Sequence, residues 1–272
     1  MRRLLIRPGA IGDCILSLPA LECLRSEYTE IWVRSEAAPL IRFADCVRSI
    51  ASTGIDRMGL EGIDPPPDLV ARLRSFDSIV SWYGSNREEF RTQMNQLGLP
   101  IRFLDALPPA GGAVHAADFF LEQAGCGGVA VPRIQCRAAP TKDFAVIHPF
   151  SGSPRKNWSL ERYRELARRL EMPVRWCAGP EEQLEDAARI DNLYELASWL
   201  STARLYIGND TGITHLAAAV GVPVVAIFGP TDPAVWAPRG DRIRVVSGSL
   251  DDISVGQVLN AVVTCKQLIG GY

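Results

Sequence analysis

The sequence predicts an α/β protein of two Rossmann-like domains facing each other across a cleft, and three stretches carry that prediction. Residues 205–233 read as a buried strand, a polar turn, a helix of small residues and a second buried strand, one complete βαβ module. Residues 4–26 read as a short strand, a glycine turn and a helix, the corner that opens a doubly wound sheet. Between them, residues 127–142 have paired glycines, Pro132, Pro140 and little periodicity, which is the composition of a linker, and past it the α/β pattern restarts. Domains are therefore expected over residues 1–135 and 136–272, with a hinge near residue 140 and a last helix able to pack back on the first domain. A chain of 272 residues gives each half enough length, at about 130 residues, to bury its own core.

In chain order, residues 4–6 form the first strand, 8–12 a tight turn, and 13–26 a helix with Ile15, Leu18, Leu21 and Leu24 as apolar positions. Strands are expected at 31–34, 47–50 and 78–82, and helices at 37–44, 86–97 and 116–124, the last closed by Gly125. Three consecutive prolines make 64–69 a loop. In the second half, strands are expected at 144–148, 174–177 and 243–246. Helices are expected at 159–170 with Ser159 as cap, at 181–189 opening with two acids, and at 193–202. In the βαβ module Asp210 can cap a helix that Thr211 begins, and Gly221 and Gly229 bound the β-branched strand 222–228. An amphipathic helix over 254–268 closes the chain, through Val258, Leu259, Val262 and Val263.

The bulk properties exclude several classes. The formal charge of −2 is spread evenly, with 15 Arg and Lys against 16 Asp and Glu in residues 1–140, and 14 against 15 after them, so neither a nucleic-acid footprint nor a polybasic membrane arm is indicated. Seven scattered cysteines without a Cys-x-x-Cys pair suit a reducing cytoplasm, where the protein is expected to reside. The apolar run before Arg7 is far too short for a signal-peptide core, and no apolar run reaches the roughly 18 residues that would span a bilayer. Three scattered histidines argue against a zinc site, and no metal or cofactor is expected. Only Lys142, Lys156 and Lys266 are lysines, so a lysine inside a motif draws notice.

The polar turn of the βαβ module lies at a strand's carboxyl end, where ligands of such sheets bind. The amides of Thr211, Gly212 and Ile213, with the positive end of a helix dipole behind them, make an anion site, and Gly212 leaves room for a phosphate. Asn209-Asp210-Thr211-Gly212-Ile213-Thr214-His215, with the Gly-Val-Pro-Val-Val-Ala-Ile-Phe-Gly-Pro-Thr-Asp-Pro stretch after it, resembles the signature of the ADP-heptose:lipopolysaccharide heptosyltransferase family. Residues 7–20, beginning Arg7-Pro8-Gly9-Ala10-Ile11-Gly12-Asp13-Cys14, resemble that family's first strand-to-helix turn. His148-Pro149-Phe150-Ser151-Gly152-Ser153-Pro154-Arg155-Lys156-Asn157-Trp158 resembles its donor-phosphate loop. The three stretches occur in the family's order; Cys14 stands where a small hydroxyl residue is expected and Ser159 where proline is common.

The resemblance implies the GT-B arrangement of two domains, an ADP-sugar donor, and a lipopolysaccharide-core or other oligosaccharide acceptor whose amphiphilic character brings the enzyme transiently to the inner face of the membrane. It implies that Asp13 is the general base, although an aspartate there is also a favoured helix cap. Ser151, Gly152, Ser153 and Lys156 would surround phosphate oxygens, with Lys156 offsetting the charge of the departing ADP; the alternative is a solvated loop lysine. Asp210 is read first as cap and turn residue and second as a partner of a donor-sugar hydroxyl, with Thr211 and Gly212 facing phosphate. His215, one helical turn on, is either a further phosphate contact or a packing residue. Glu182, or Glu181 beside it, follows a strand where acids bind ribose hydroxyls, and both equally suit a helix's first turn. His148 reads as structural, His115 has no context, and Thr231-Asp232 is either an ordinary turn or part of the donor pocket. Competing readings are a nucleotide-sugar 2-epimerase of the same architecture and a non-catalytic nucleotide-sugar sensor. A dinucleotide oxidoreductase fits least, because Gly9-x-x-Gly12 is not Gly-x-Gly-x-x-Gly.

Overall fold

The computed structural model describes residues 1–60, 62–137 and 139–267, in two compact units. The first comprises Met1–Gly112 and Ala116–Ala130; the second comprises Ala113–His115 and the chain from Val131 onward. The first unit runs β1 (Arg2–Ile6), α1 (Ile11–Cys23), β2 (Tyr28–Val33), β3 (Cys46–Ser49), α2 (Pro67–Leu73), β4 (Ser78–Ser81), α3 (Glu88–Gln96), β5 (Ile101–Phe103) and α4 (Ala116–Gln123). Its five strands are parallel in the order β3-β2-β1-β4-β5. The chain builds outward from β1 to one edge and then crosses to β4, so strand order reverses between β1 and β4, and the crevice at their carboxyl ends is the unit's switch point. Leu4, Ile6, Trp32, Ile79 and Phe90 form one core layer.

The second unit runs β6 (Ala145–His148), α5 (Leu160–Arg169), β7 (Val174–Trp176), α6 (Leu193–Leu200), β8 (Leu205–Asn209), α7 (Gly212–Ala219), β9 (Val224–Phe228), α8 (Pro233–Trp236), β10 (Ile243–Ser247) and α9 (Val255–Gln267). Its parallel order is β10-β9-β8-β6-β7, which places the reversal between β6 and β8. Both strands are wholly buried, as the β-branched and apolar runs require of a sheet covered on two faces. Val255, Val258, Val262 and Cys265 of α9 share a core cluster with Ile147, Ile207, Val225 and Ile227 of the second sheet. Leu268, expected as its last residue, lies outside the described residues.

Local differences from expectation have local causes. The prolines at 65–67 do not hold a loop open throughout, because Pro67 starts α2, where a missing N–H costs nothing. Residues 37–44 yield only a 3-10 turn at Ala38–Leu40, and β5, three residues long, was too short to show a period. Residues 181–189 are not a helix: Asp186 sits at φ 54° and Cys177 bridges to Ala188, so the segment returns alongside the sheet. Ser159 precedes α5 without a side-chain cap, whereas Asn192 Oδ1 caps α6 by accepting from the amides of Tyr194 and Glu195. The cysteines also depart from the expectation of a fully reduced set. Cys23 and Cys126, separated by 103 positions, are joined as a disulfide with their Cα atoms 6.7 Å apart. Packing of α1 against α4 brings the two helix ends together, a proximity no spacing rule can express. No helix among the described residues is long and apolar enough to cross a membrane.

The first unit buries a carboxylate. Glu30 on β2 is wholly inaccessible and accepts from Trp32 Nε1 at 2.7 Å, from Arg72 Nη2 at 2.7 Å and from Arg48 Nε at 3.1 Å. Burial alone would raise its carboxyl, but the Trp32 and Arg72 hydrogen bonds outweigh it and leave the pKa below the usual range. Glu30→Ala orphans the indole N–H and removes the counter-charge, while both arginines can still reach solvent. We expect a loss of about 2–4 kcal/mol from the first unit in urea denaturation at pH 7, toward the lower end for a broken buried pair. A loss below about 1 kcal/mol would mean that the arginines hold no stabilising geometry.

Candidate functional site

Strand β8 delivers the site. Its Gly208 has no substitute, because a Cβ there would stand 2.6 Å from the Tyr206 hydroxyl, and that hydroxyl lies 3.1 Å from Thr214 Oγ1. Thr214 Oγ1 in turn donates to the Asn209 carbonyl, fixing the turn from β8 into α7. Asn209 itself is fully buried. Its Oδ1 accepts from the Trp158 amide at 3.0 Å and the Tyr163 hydroxyl at 2.9 Å, and its Nδ2 donates to the Pro149 carbonyl at 2.8 Å. The amide thereby ties the loop after β6 to the end of β8, across the switch point of the second sheet. Trp158 is anchored further by its indole N–H to the Ile253 carbonyl at 2.9 Å and by the edge of its ring contact with Tyr163.

On that frame sit the residues expected to face phosphate. Lys156 Nζ donates to Asp210 Oδ2 at 2.6 Å, with the Asp210 side chain 8% exposed and Lys156 34% exposed. Asp210 therefore does not cap: α7 begins at Gly212, Thr211 is the cap position without a capping side chain, and the Asp210 carboxylate is engaged by the lysine. The first amides of α7 lack intrahelical acceptors, as at any helix start, and the site combines them with one cation and one anion in contact. Ser151 Oγ lies 2.7 Å from both the Ser153 carbonyl and Asn157 Oδ1, so this hydroxyl shapes the loop, and the space beside Gly152 Cα is open.

His215, on the first turn of α7, is 5% exposed and its Nδ1 has no partner. Burial above all, with His115 and Lys156 adding to it against the opposing pull of Asp210, lowers its pKa to about 4, so the ring is neutral at pH 7. His115, for which the sequence offered no context, is buried in this same unit and its Nε2–H donates to the Ala237 carbonyl at 2.8 Å. Glu182 Oε2 accepts from His148 Nε2 at 3.1 Å and from the Gly179 amide at 2.6 Å. Burial would raise that carboxyl, yet these two bonds hold it below its usual value. His148 ends β6 beside Gly208 of β8, so Glu182 is fixed to the same strand-end row. Asp232 caps α8 by accepting from the Ala234 amide at 2.9 Å.

Asp13 lies in the first unit, at the switch point beside β1. It is the third residue of α1, and its Oδ2 accepts from the Ala10 amide at 3.0 Å, so it reaches back to the helix start instead of being the cap. Gly9, at φ 117°, is required there: an added Cβ would stand 3.0 Å from that same Oδ2. Behind the turn is a residue the sequence reading passed over. Arg7 is 1% exposed, donates from Nε to Ser17 Oγ at 3.0 Å, from Nη1 to the Pro8 carbonyl at 3.1 Å and from Nη2 to the Asp13 carbonyl at 3.3 Å, and lies 4.4 Å from the Phe120 ring centroid. Burial lowers its pKa and Asp13 opposes that, so the guanidinium is a buried cation clamping both arms of the Asp13 turn. The available signal was an arginine directly after a buried strand. No group of three or more His, Cys, Asp or Glu side chains able to hold a metal ion occurs among the described residues.

Residues 129–255 match the family described as glycosyltransferase family 9 (heptosyltransferase). Among curated relatives, lipopolysaccharide heptosyltransferase 1 of Pseudomonas aeruginosa is 35% identical over 109 residues, covering 35% of this chain and 30% of the relative. Lipopolysaccharide heptosyltransferase 3 of Escherichia coli K12 is 43% identical over 133 residues, covering 41% of this chain and 38% of the relative. The chain thus spans well under half the length of these relatives in alignment. In solved structures the likeness covers the whole chain and is one of fold. The glycosyl transferase family 9 protein of Veillonella parvula superposes with a TM-score of 0.74 at 19% identity, covering 98% of this chain and 97% of the other. E. coli heptosyltransferase WaaC with ADP gives a TM-score of 0.68 at 17% identity, covering 97% and 100%.

The buried neutral His215 makes a pH prediction. The unfolded chain protonates this imidazole near 6.5 and the folded chain near 4, so between those values the unfolded state binds more protons and stability falls as pH falls. The loss amounts to roughly 3 kcal/mol in all and is complete below about pH 4. In urea melts of the second unit, His215→Gln removes this component of the decline between pH 6.5 and 4; wild type and variant losing stability in parallel would show that the ring is not held neutral.

Proposed function

We propose that the chain is a member of glycosyltransferase family 9, whose model matches residues 129–255, and that it transfers a heptose from ADP-heptose to a hydroxyl of a lipopolysaccharide inner-core or related oligosaccharide, with inversion at the anomeric carbon. The observation that carries the reading is the Lys156–Asp210 pair beside the start of α7, at the switch point of a doubly wound sheet. A diphosphate suits that place: the first amides of α7 and the Thr211 hydroxyl donate to its oxygens, Gly212 and the open space at Gly152 admit it, and Ser153 and Lys156 flank it. Glu182, held by His148 through Oε2, keeps Oε1 for a ribose hydroxyl. In this proposal residues 136–272 are the donor half and residues 1–135 the acceptor half.

The chemical step then balances as follows. Asp13 takes the proton of the acceptor hydroxyl as its oxygen attacks the anomeric carbon; the bond to the β-phosphate oxygen breaks, and ADP leaves with the electron pair. Lys156 offsets the charge that develops on it. Arg7 contributes by holding the turn that presents Asp13. We assign the protein to the cytoplasm, meeting an amphiphilic acceptor at the inner face of the membrane. One observation favours a second reading: the Asp13 carboxylate already serves the Ala10 amide, so a helix-start role alone, in a protein that binds a nucleotide sugar without transferring it, fits the same contact.

Two variants separate these readings. Lys156→Ala removes the cation and leaves Asp210 unpaired, and calorimetric titration with ADP is expected to show affinity weakened by about 1.5–3 kcal/mol; unchanged affinity in a folded variant would place the nucleotide elsewhere. Asp13→Asn keeps an acceptor for the Ala10 amide but cannot take a proton at neutral pH. ADP affinity should be preserved while ADP release with Kdo- and heptose-terminated acceptors falls by about 100-fold or more. Transfer at the wild-type rate would remove Asp13 from the step, and wild-type protein that binds ADP-heptose yet transfers to no acceptor would establish the second reading.

A further inference from the structure

The opposite edge of the first sheet carries a feature that the transfer reaction does not use. Cys23 ends α1 and Cys126 follows α4; both residues of their disulfide are partly exposed. Both cysteines line a cavity of about 480 Å³ at the amino-terminal edge of the sheet, together with Arg3, Ser78, Val80 and Arg102. No carboxylate is among the described lining residues, so two guanidinium groups face this space without an acidic partner in its walls. Arg3 Nη1 donates to the Leu24 carbonyl at 2.8 Å, which holds it beside Cys23, and its Nε–H is buried without a partner. The positive charge of Arg102 adds to burial in lowering the Arg3 pKa, a sign that the two cations are close.

Thiol–disulfide exchange depends on access to the sulfur and on how well the departing thiolate is stabilised, and adjacent guanidinium groups favour both the attacking and the leaving anion. The other buried thiols do not compete: burial pushes Cys14 and Cys177 up to about 12 and raises Cys265. We propose that Cys23–Cys126 is a reversible redox site whose arginine-lined cavity admits small anionic thiols. A first thiol, RSH, attacks as its thiolate on one cysteine sulfur; the Cys23–Cys126 bond breaks, and its electron pair leaves on the other cysteine, which takes up a proton. A second RSH displaces the first as RS–SR, and the freed cysteine is protonated. The protein gains two electrons and two protons while two RSH become one RSSR. Because the bond links positions 103 residues apart, opening it removes a constraint on the unfolded first unit and lowers its stability.

The test uses the full chain, oxidised with diamide and checked by alkylation and mass spectrometry. Its reduction is timed with 3-mercaptopropionate and with cysteamine, at equal thiolate concentration and each normalised to its rate on a small neutral disulfide. At low ionic strength the anionic thiol should be faster by about tenfold. The gap should close in 1 M salt, where screening acts within about 3 Å, and should shrink by more than half in Arg102→Gln, whose side chain is exposed. Reduced wild-type protein and Cys23→Ser should each melt at least about 5 °C below the oxidised form. Equal normalised rates for the two thiols, a gap indifferent to salt, or seven alkylatable cysteines after diamide treatment would overturn the proposal.

Discussion

The second unit depends on one buried carboxamide. Asn209 satisfies a backbone amide, a phenol and a backbone carbonyl from three different segments while excluding water, and leaving any of them unpaired in that interior costs on the order of 1–3 kcal/mol. Its position at the last residue of β8 means that one side chain sets the spacing between the loop after β6 and the turn into α7. Lys156 lies two residues before Trp158, whose amide Asn209 holds, and Asp210 follows Asn209 directly. The lysine and the aspartate therefore meet because the asparagine has already brought their backbones together, and the short ion pair is a consequence of that register.

The two switch points solve the problem of a cation beside a ligand crevice in different ways. In the first unit Arg7 is buried and gives its hydrogen bonds to a hydroxyl and to carbonyls, with aromatic rings over its plane, so its charge is spent on shaping a turn. In the second unit Lys156 stays a third exposed and meets a carboxylate, so its charge sits at the surface of the crevice. A planar fork suits fixed backbone geometry, and a compact ammonium on a flexible stem suits a place where partners change. The strand orders differ in the same way: each unit reverses beside its first strand, but the first builds outward by two strands before crossing and the second by one. The halves share an architecture without repeating a topology.

Much of this was legible in the residues. The β8–α7–β9 module announces itself through a β-branched run, glycines at both bounds and a polar turn, and each of those signals is local. The residues of the 148–158 loop, Lys156 among them, could be grouped by motif, yet the Lys156–Asp210 contact could not, since 54 positions separate the pair and only the order of β6 and β8 makes them neighbours. Asp210 was therefore misassigned to capping, the commonest role of an aspartate before a helix. The segment 181–189 misled for a related reason: two acids opening a polar stretch suit a helix, but Glu182 is drawn to His148 and the Gly179 amide, and those bonds fix an irregular path. Arg7 and the Cys23–Cys126 pair were invisible because nothing local distinguishes a buried arginine from an exposed one, or a bonded cysteine from a free one.

If the crevice takes a diphosphate as proposed, the contact between Lys156 and Asp210 also sets a threshold on what can occupy it. An anion arriving there finds the ammonium already satisfied by a charge-assisted bond of 2.6 Å, and it must outbid a carboxylate that is covalently tethered and thus present at very high local concentration. A lone orthophosphate or chloride offers little that Asp210 does not. A ligand that also engages the amides of α7 brings several acceptors at once and can prise the lysine away. Under the proposed reading, the pair would favour ligands by multiplicity of attachment, since Lys156 stays occupied by Asp210 until a ligand with several acceptors displaces the carboxylate.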